Sequence, residues 1–183
     1  MDNNIIKDIE KVLISAEELA EIVKKLGVQI SEDYKNEDLI LVSILKGSVI
    51  FMADIMRAIT VPCTIDFMAV SSYADGTEST GIVKIIKDLD ISIEGKNILI
   101  IEDILDSGRT LSYIKEMLLT RKPKSIKICT LFDKPERRQV DLYADYIGCK
   151  VPNEFIVGYG LDYNEYYRNL PYIGALKRSV YEK

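Results

Sequence analysis

Residues 97–103, NILIIED, set four consecutive large aliphatic side chains in front of two acids, and no other stretch limits the fold as much. A strand wetted on one face alternates apolar and polar positions. A strand that is apolar at every position is covered on both faces, as in a parallel sheet. The segment ILDSGRT follows, then TLSYIKEMLL with helical spacing, then a second buried run, SIKICTLF, at 125–132. Strand, tight turn, helix and strand make the βαβ unit. LILVSI at 39–44, TIDFMAV at 64–70 and GIVKIIKDL after residue 80 read as further strands, and VIFMADIMRA as a helix. Upstream, SAEELAEIVKKLG reads as a helix opened by a Ser15–Glu18 capping box, with Leu19, Ile22, Val23 and Leu26 on one face and Gly27 as its stop. The expected fold class is α/β, a parallel sheet with flanking helices.

Nothing in the 183 residues suggests a linker or a repeat, so one domain over 1–183 is expected. From about residue 145 onward the chain is aromatic and irregular, and reads as a flap over the sheet. The formal net charge of −5 argues against general nucleic-acid or anionic-membrane partners, which demand a basic face. Lys46 interrupts the best apolar stretch, so no membrane span is expected. The N-terminus lacks the cationic and apolar blocks of a secretory signal, which leaves the cytoplasm as the expected location. Cys63, Cys129 and Cys149 are widely spaced and odd in number, and read as reduced thiols rather than a zinc or disulfide framework. The chain contains no histidine. Ser–His and Cys–His nucleophilic chemistry is therefore excluded, and proton transfer falls to carboxylates, lysines or tyrosines.

EDILDSGRT, residues 102–110, sits beyond the carboxyl end of the central strand, where parallel sheets bind ligands. Ser107, Gly108 and Thr110 lie at the helix start, where free N–H groups and the positive dipole end attract a phosphate. For SGRT alone, an N-cap with turn residues is an equally good account. Glu102, Asp103 and Asp106 alter the balance, because three acids beside an anion site repel the ligand unless they serve it. Two adjacent carboxylates can accept the hydroxyls of a ribose diol or position a hydrated magnesium ion. A third, near the reacting carbon, can act as a base. Neither the Walker A nor the dinucleotide glycine fingerprint is present.

ILIIEDILDSGRTL resembles the phosphoribosyl-pyrophosphate signature of the type I phosphoribosyltransferase family. LKGS at 45–48, SSY at 71–73, FDKPERR at 132–138 and EFIVGYGLDYNEYYRNLPYIG at 154–174 resemble its hypoxanthine-guanine branch. The resemblance spans nearly the whole chain. It implies the type I fold, with a small hood built from about 1–15 and 145–183. It also implies transfer of ribose 5-phosphate from phosphoribosyl pyrophosphate to N9 of hypoxanthine or guanine, with Mg2+ as cofactor. Family members are commonly dimers or tetramers, so a homodimer or homotetramer is expected.

The same resemblance implies a role for each matching residue. Asp106 is the general base, holding the proton at purine N7. Glu102 and Asp103 bind the ribose diol and a magnesium ion, and Asp162 approaches a second. Ser107, Gly108, Arg109 and Thr110 hold the 5-phosphate. Lys46, Gly47 and Arg168 meet the pyrophosphate, with a cis Leu45–Lys46 bond. Lys134, Phe155, Ile156 and Asp162 form the purine site, and Ser72 and Tyr73 belong to a closing lid. Glu136 and Arg137 read as a solvated face. An RNA-binding regulator on the same fold is the alternative, which the net charge disfavours. A relative preferring xanthine is a second, and the sequence is too blunt to separate it.

Overall fold

The computed structural model describes residues 3–72 and 83–182. A short helix α1 (Asn3–Lys7) leads into β1 (Ile9–Ile14) and the long helix α2 (Ala16–Asp33). β2 (Leu39–Leu45), α3 (Val49–Ala58), β3 (Cys63–Ser72) and β4 (Val83–Lys87) follow. Next come β5 (Asn97–Leu105), α4 (Arg109–Leu119), β6 (Ser125–Asp133) and β7 (Tyr146–Lys150). The chain closes with β8 (Ile156–Val157), β9 (Ile173–Leu176) and α5 (Arg178–Tyr181).

The main sheet has strand order β4-β3-β2-β5-β6-β7 and is parallel except for β4. That strand returns antiparallel beside β3, so the sheet is mostly parallel, in keeping with the fold class expected. The connection between them, 73–82, is shorter than the dozen or more residues a parallel crossover needs. β5 explains the apolar run that constrained the fold. Leu99 and Ile101 join one buried cluster with Leu19, Val23, Phe51 and Ile55 of α2 and α3. Ile98 and Ile100 join the opposite cluster with Leu111, Ile114 and Leu118 of α4. With a helix layer on each face, no position of the strand is left for a polar residue.

β2 and β5 are central neighbours whose chains then depart in opposite directions, β2 toward β3 and β5 toward β6. Their following loops diverge and leave a crevice at the carboxyl ends, where open α/β sheets bind ligands. A second sheet, β1-β9-β8, joins the N-terminal segment to the C-terminal one. Residues 146–150, expected within the flap, instead complete the main sheet as β7, where Tyr146 is buried against Cys129.

The capping box is formed: Ser15 Oγ accepts from Glu18 N–H, and Glu18 accepts from Ser15 N–H at 2.7 Å. Gly27, however, is not the helix stop. α2 runs six residues further, and Gly27 lies in its buried face. A Cβ there would stand 2.6 Å from Ala58 Cβ and 2.7 Å from the Ala58 carbonyl, so glycine is what lets α2 approach α3 this closely. The three cysteines are free thiols. Among the described residues no helix is long and apolar enough to cross a membrane.

Candidate active site

β5 runs on through Leu105, so Glu102 and Asp103 are strand residues with side chains on opposite faces. Glu102 turns toward a recess of about 150 Å3 that it lines with Asp106, Ser107, Gly108 and Thr110. Asp103 turns the other way, onto the loop after β2, where its carboxylate covers Gly47. A Cβ built on Gly47 would fall inside the Asp103 carboxylate, so a glycine is required at this contact. The Leu45–Lys46 bond in the same loop is cis.

Gly108 is the N-cap of α4 and has a φ of 80°, with no side-chain cap on the helix. Its α-carbon also faces Val140 and Arg138, at 3.0 and 3.2 Å from where a Cβ would be. The helix N-terminus therefore opens onto the small recess, where the Arg109 N–H makes only a long 3.5 Å bond to Ser107 Oγ, a setting that suits an anion. Arg109 departs from the grouping expected for it: its side chain is exposed and outside the recess.

A larger cavity of about 580 Å3 is lined by Asp106, Lys134, Phe155, Ile156 and Asp162, together with Arg137. Ile104 and Asp106 line both spaces, so Asp106 stands on the boundary between the small recess and the larger cavity. Lys134 is buried, and its ammonium donates to the Glu154 carbonyl at 2.7 Å. Burial holds its pKa below the usual lysine range. Arg137 is exposed, as expected, yet it also lines the cavity and donates from Nε to Asp106 Oδ1 at 2.7 Å. Arg138 stitches the two loops from beneath, donating to the carbonyls of Leu105, Asp106 and Leu142 and pairing with Asp133. Loops that follow adjacent parallel strands emerge side by side, which is why these arginines meet residues some thirty positions away.

Lys46 and Arg168 come together through a residue the sequence did not single out. Glu165 Oε2 lies 3.1 Å from Lys46 Nζ and 3.3 Å from Arg168 Nη2. Lys46, then Arg168, hold the Glu165 carboxyl below its usual range. The 154–174 match spans this acid without giving it a role; its place three residues before Arg168 is the one hint. Arg168 also pairs with Asp162 at 2.9 Å and donates to the Gly160 carbonyl at 2.7 Å. Gly160, at a φ of 101°, packs directly on the Gly47 carbonyl, so the C-terminal segment abuts the loop after β2. Ser72 ends β3, while its side chain and Tyr73 lie outside the described residues.

Glu102 and Asp103 are both shifted upward. For each the first cause is burial; for Glu102 the neighbouring Asp103 adds repulsion, and for Asp103 the charge of Asp162 does. Glu102 Oε2 is enclosed without a hydrogen-bond partner. Charging a carboxyl so placed is expected to cost stability, and the cost depends on pH. The folded state holds this proton more tightly than the unfolded chain. The destabilisation is absent below the unfolded carboxylate range, grows as pH rises toward the folded value, and is complete above it. In chelator, Glu102→Gln is expected to raise the melting midpoint at pH 8 by about 2–4 °C, the effect of about 1 kcal/mol in a domain of this size. The gain should shrink at pH 5. Equal gains at both pH values would mean the charge is not the cause.

The sequence pattern described as the phosphoribosyl transferase domain matches residues 13–164. The hypoxanthine-guanine phosphoribosyltransferase of Staphylococcus epidermidis is 58% identical over 177 residues, which cover 97% of this chain and 99% of that protein. The Streptococcus pyogenes protein of the same name is 54% identical over 177 residues, covering 97% and 98%. The crystal structure of a hypoxanthine phosphoribosyltransferase from Staphylococcus aureus superposes with a TM-score of 0.97 at 54% identity, over the full length of both chains. With the fold, the crevice and these likenesses in agreement, the chain belongs to the phosphoribosyl transferase domain family and, within it, to the hypoxanthine-guanine phosphoribosyltransferases.

Proposed function

We propose that this chain is a purine salvage transferase that moves the 5-phosphoribosyl group of phosphoribosyl pyrophosphate to N9 of hypoxanthine or guanine. The products are IMP or GMP and pyrophosphate. The observation that carries this is the placement of Asp106 between a small recess at a helix N-terminus and a larger cavity with a buried lysine and an aromatic ring. A phosphorylated sugar and a flat, carbonyl-bearing base would then meet at one carboxylate.

In the reaction the C1′–pyrophosphate bond breaks as N9 attacks, through a transition state with cationic character at C1′. Catalysis is then a matter of holding both partners in line and stabilising the developing charges. The backbone and hydroxyls of Ser107, Gly108 and Thr110 hold the 5-phosphate, with Arg109 joining through its N–H. Glu102 and Asp103 accept from the ribose hydroxyls. Phe155 stacks on the base, the Ile156 backbone meets its edge, and Lys134 donates to the exocyclic oxygen. Asp106 takes the proton from N7 as the N9–C1′ bond forms. Lys46, the Gly47 N–H and Arg168 receive the departing pyrophosphate, for which Glu165 must give way. That exchange is inexpensive, because exposed ion pairs contribute about 1 kcal/mol or less. Ser72 and Tyr73 would close over the centre and exclude water.

The donor set suits magnesium. Glu102 offers an enclosed, unpartnered oxygen on one face of β5, and Asp103, on the other face, has Asp162 near it. Among the described residues no group of three or more side chains forms a metal cage. Magnesium is commonly held by one or two carboxylates plus substrate oxygens, so a cage is not needed. Bound there, it would neutralise pyrophosphate charge and fix the diol. We take the β1-β9-β8 sheet as the hood of one domain. A homodimer or homotetramer, tested by sedimentation, and a cytoplasmic location, tested by fractionation, complete the proposal.

The test supplies phosphoribosyl pyrophosphate and magnesium with a panel of bases and measures the nucleotide formed. Hypoxanthine and guanine should react, and chelation of magnesium should abolish turnover. Nucleotide from a pyrimidine, or from no base, would sink the proposal.

A further inference from the structure

Three residues of the C-terminal turn, Arg178, Tyr181 and Glu182, line the cavity proposed for the base, and none belongs to the motifs that marked the site. Strand pairing puts them there. β9 lies antiparallel to β8 with Ile156 opposite Ala175, and the Leu176 N–H donates to the Phe155 carbonyl at 2.8 Å. The chain thus leaves the small sheet directly beside Phe155. Lys177 N–H donates to the Asp8 carbonyl at 2.9 Å, and α5 then brings Tyr181 back to Phe155. The two rings are stacked, with centroids 4.8 Å apart and planes inclined by 24°. Tyr163 packs perpendicular to the same phenyl ring, at 5.5 Å and 89°.

Tyr181 is itself supported. It packs with Ile5, Ile9 and Val180 against the buried cluster of Val157, Tyr167, Leu170 and Leu176. Phe155 is 39% exposed, more than expected of a ring in a packed core. A ring so open keeps torsional freedom that a stacking ligand would have to remove. One stacked and one perpendicular contact remove it in advance.

We propose that Tyr181 is a positioning residue for the purine. Its ring occupies one face of Phe155 and fixes the phenyl so that the opposite face receives the base, giving a stack of Tyr181, Phe155 and purine. This rests on the transfer activity proposed above. The C-terminal turn then acts on base affinity and has no part in donor binding or in the proton transfer at Asp106.

The experiment compares full-length wild type, Tyr181→Ala and Tyr181→Phe. It reads KM for hypoxanthine and guanine, KM for phosphoribosyl pyrophosphate, kcat and the melting midpoint. Tyr181→Ala should raise the base KM about three- to tenfold, the range expected for loss of an aromatic pair. Donor KM and kcat should stay within about twofold, because no donor contact is touched. Tyr181→Phe should restore the base KM, since the stack uses the ring face. A lower midpoint alone would not produce a change confined to the base. An unchanged base KM, or a parallel rise in donor KM, would overturn the proposal. So would a fall in base KM, which would mean that the tyrosine occupies the purine's own place. Wild-type protein that forms no nucleotide from either base would sink the transfer activity first, and this proposal with it.

Discussion

Asp106→Asn is expected to lower kcat by about two to four orders of magnitude, the usual range for loss of a general acid–base group. Donor affinity should be nearly unchanged. Asparagine keeps an acceptor oxygen and the shape of the turn, but it cannot take the proton from N7. The variant should fold normally. Asp106 and its partner Arg137 are 41% and 52% exposed at their side chains, so the ion pair adds little to stability. Rapid-mix turnover, with equilibrium binding of phosphoribosyl pyrophosphate measured alongside, separates the two effects. If donor affinity falls as steeply as kcat, Asp106 is a binding group and the base must be sought elsewhere.

Gly47→Ala is the second large effect. Its Cβ would enter the space of the Asp103 carboxylate, and the Gly160 α-carbon packs on the other side against the Gly47 carbonyl. With both sides filled, the loop cannot yield easily, so Asp103 must move. Misplacing a substrate-positioning group by about 1 Å can cost about a hundredfold. A loss of that order in kcat/KM for phosphoribosyl pyrophosphate is expected, with base KM much less affected. Circular dichroism should show the fold retained. A change below about threefold would mean that the Asp103–Gly47 contact is not used in catalysis.

The part of the site within one contiguous segment was legible. A strand covered on both faces, a glycine at positive φ and a helix start are short-range features, and residues 97–119 contain all three. Misreadings arose where one local signal serves two causes. Gly27 looks like a helix stop, because a glycine that ends a helix and one that admits a neighbouring helix look alike in sequence. Arg137 reads as solvated and is exposed, but its ion pair is not legible in the sequence. Its partner Asp106 is 31 positions away, and only the adjacency of β5 and β6 brings them together. The reversed direction of β4 could have been inferred from the length of the preceding connection, which was too short for a crossover.

By itself the sequence determined the α/β class, the central strand, the glycine turn and helix start at its carboxyl end, and the exclusion of histidine chemistry. These depend on hydrophobic period, turn chemistry and residue type, which act over a few positions. The tertiary structure alone decided that Glu102 and Asp103 face different loops, that Glu165 bridges Lys46 from 119 positions away, and that Tyr181 lies on Phe155. Those facts depend on strand order and on the packing of both chain ends into one small sheet. Contacts between distant residues are set by the whole fold, and no local pattern carries them.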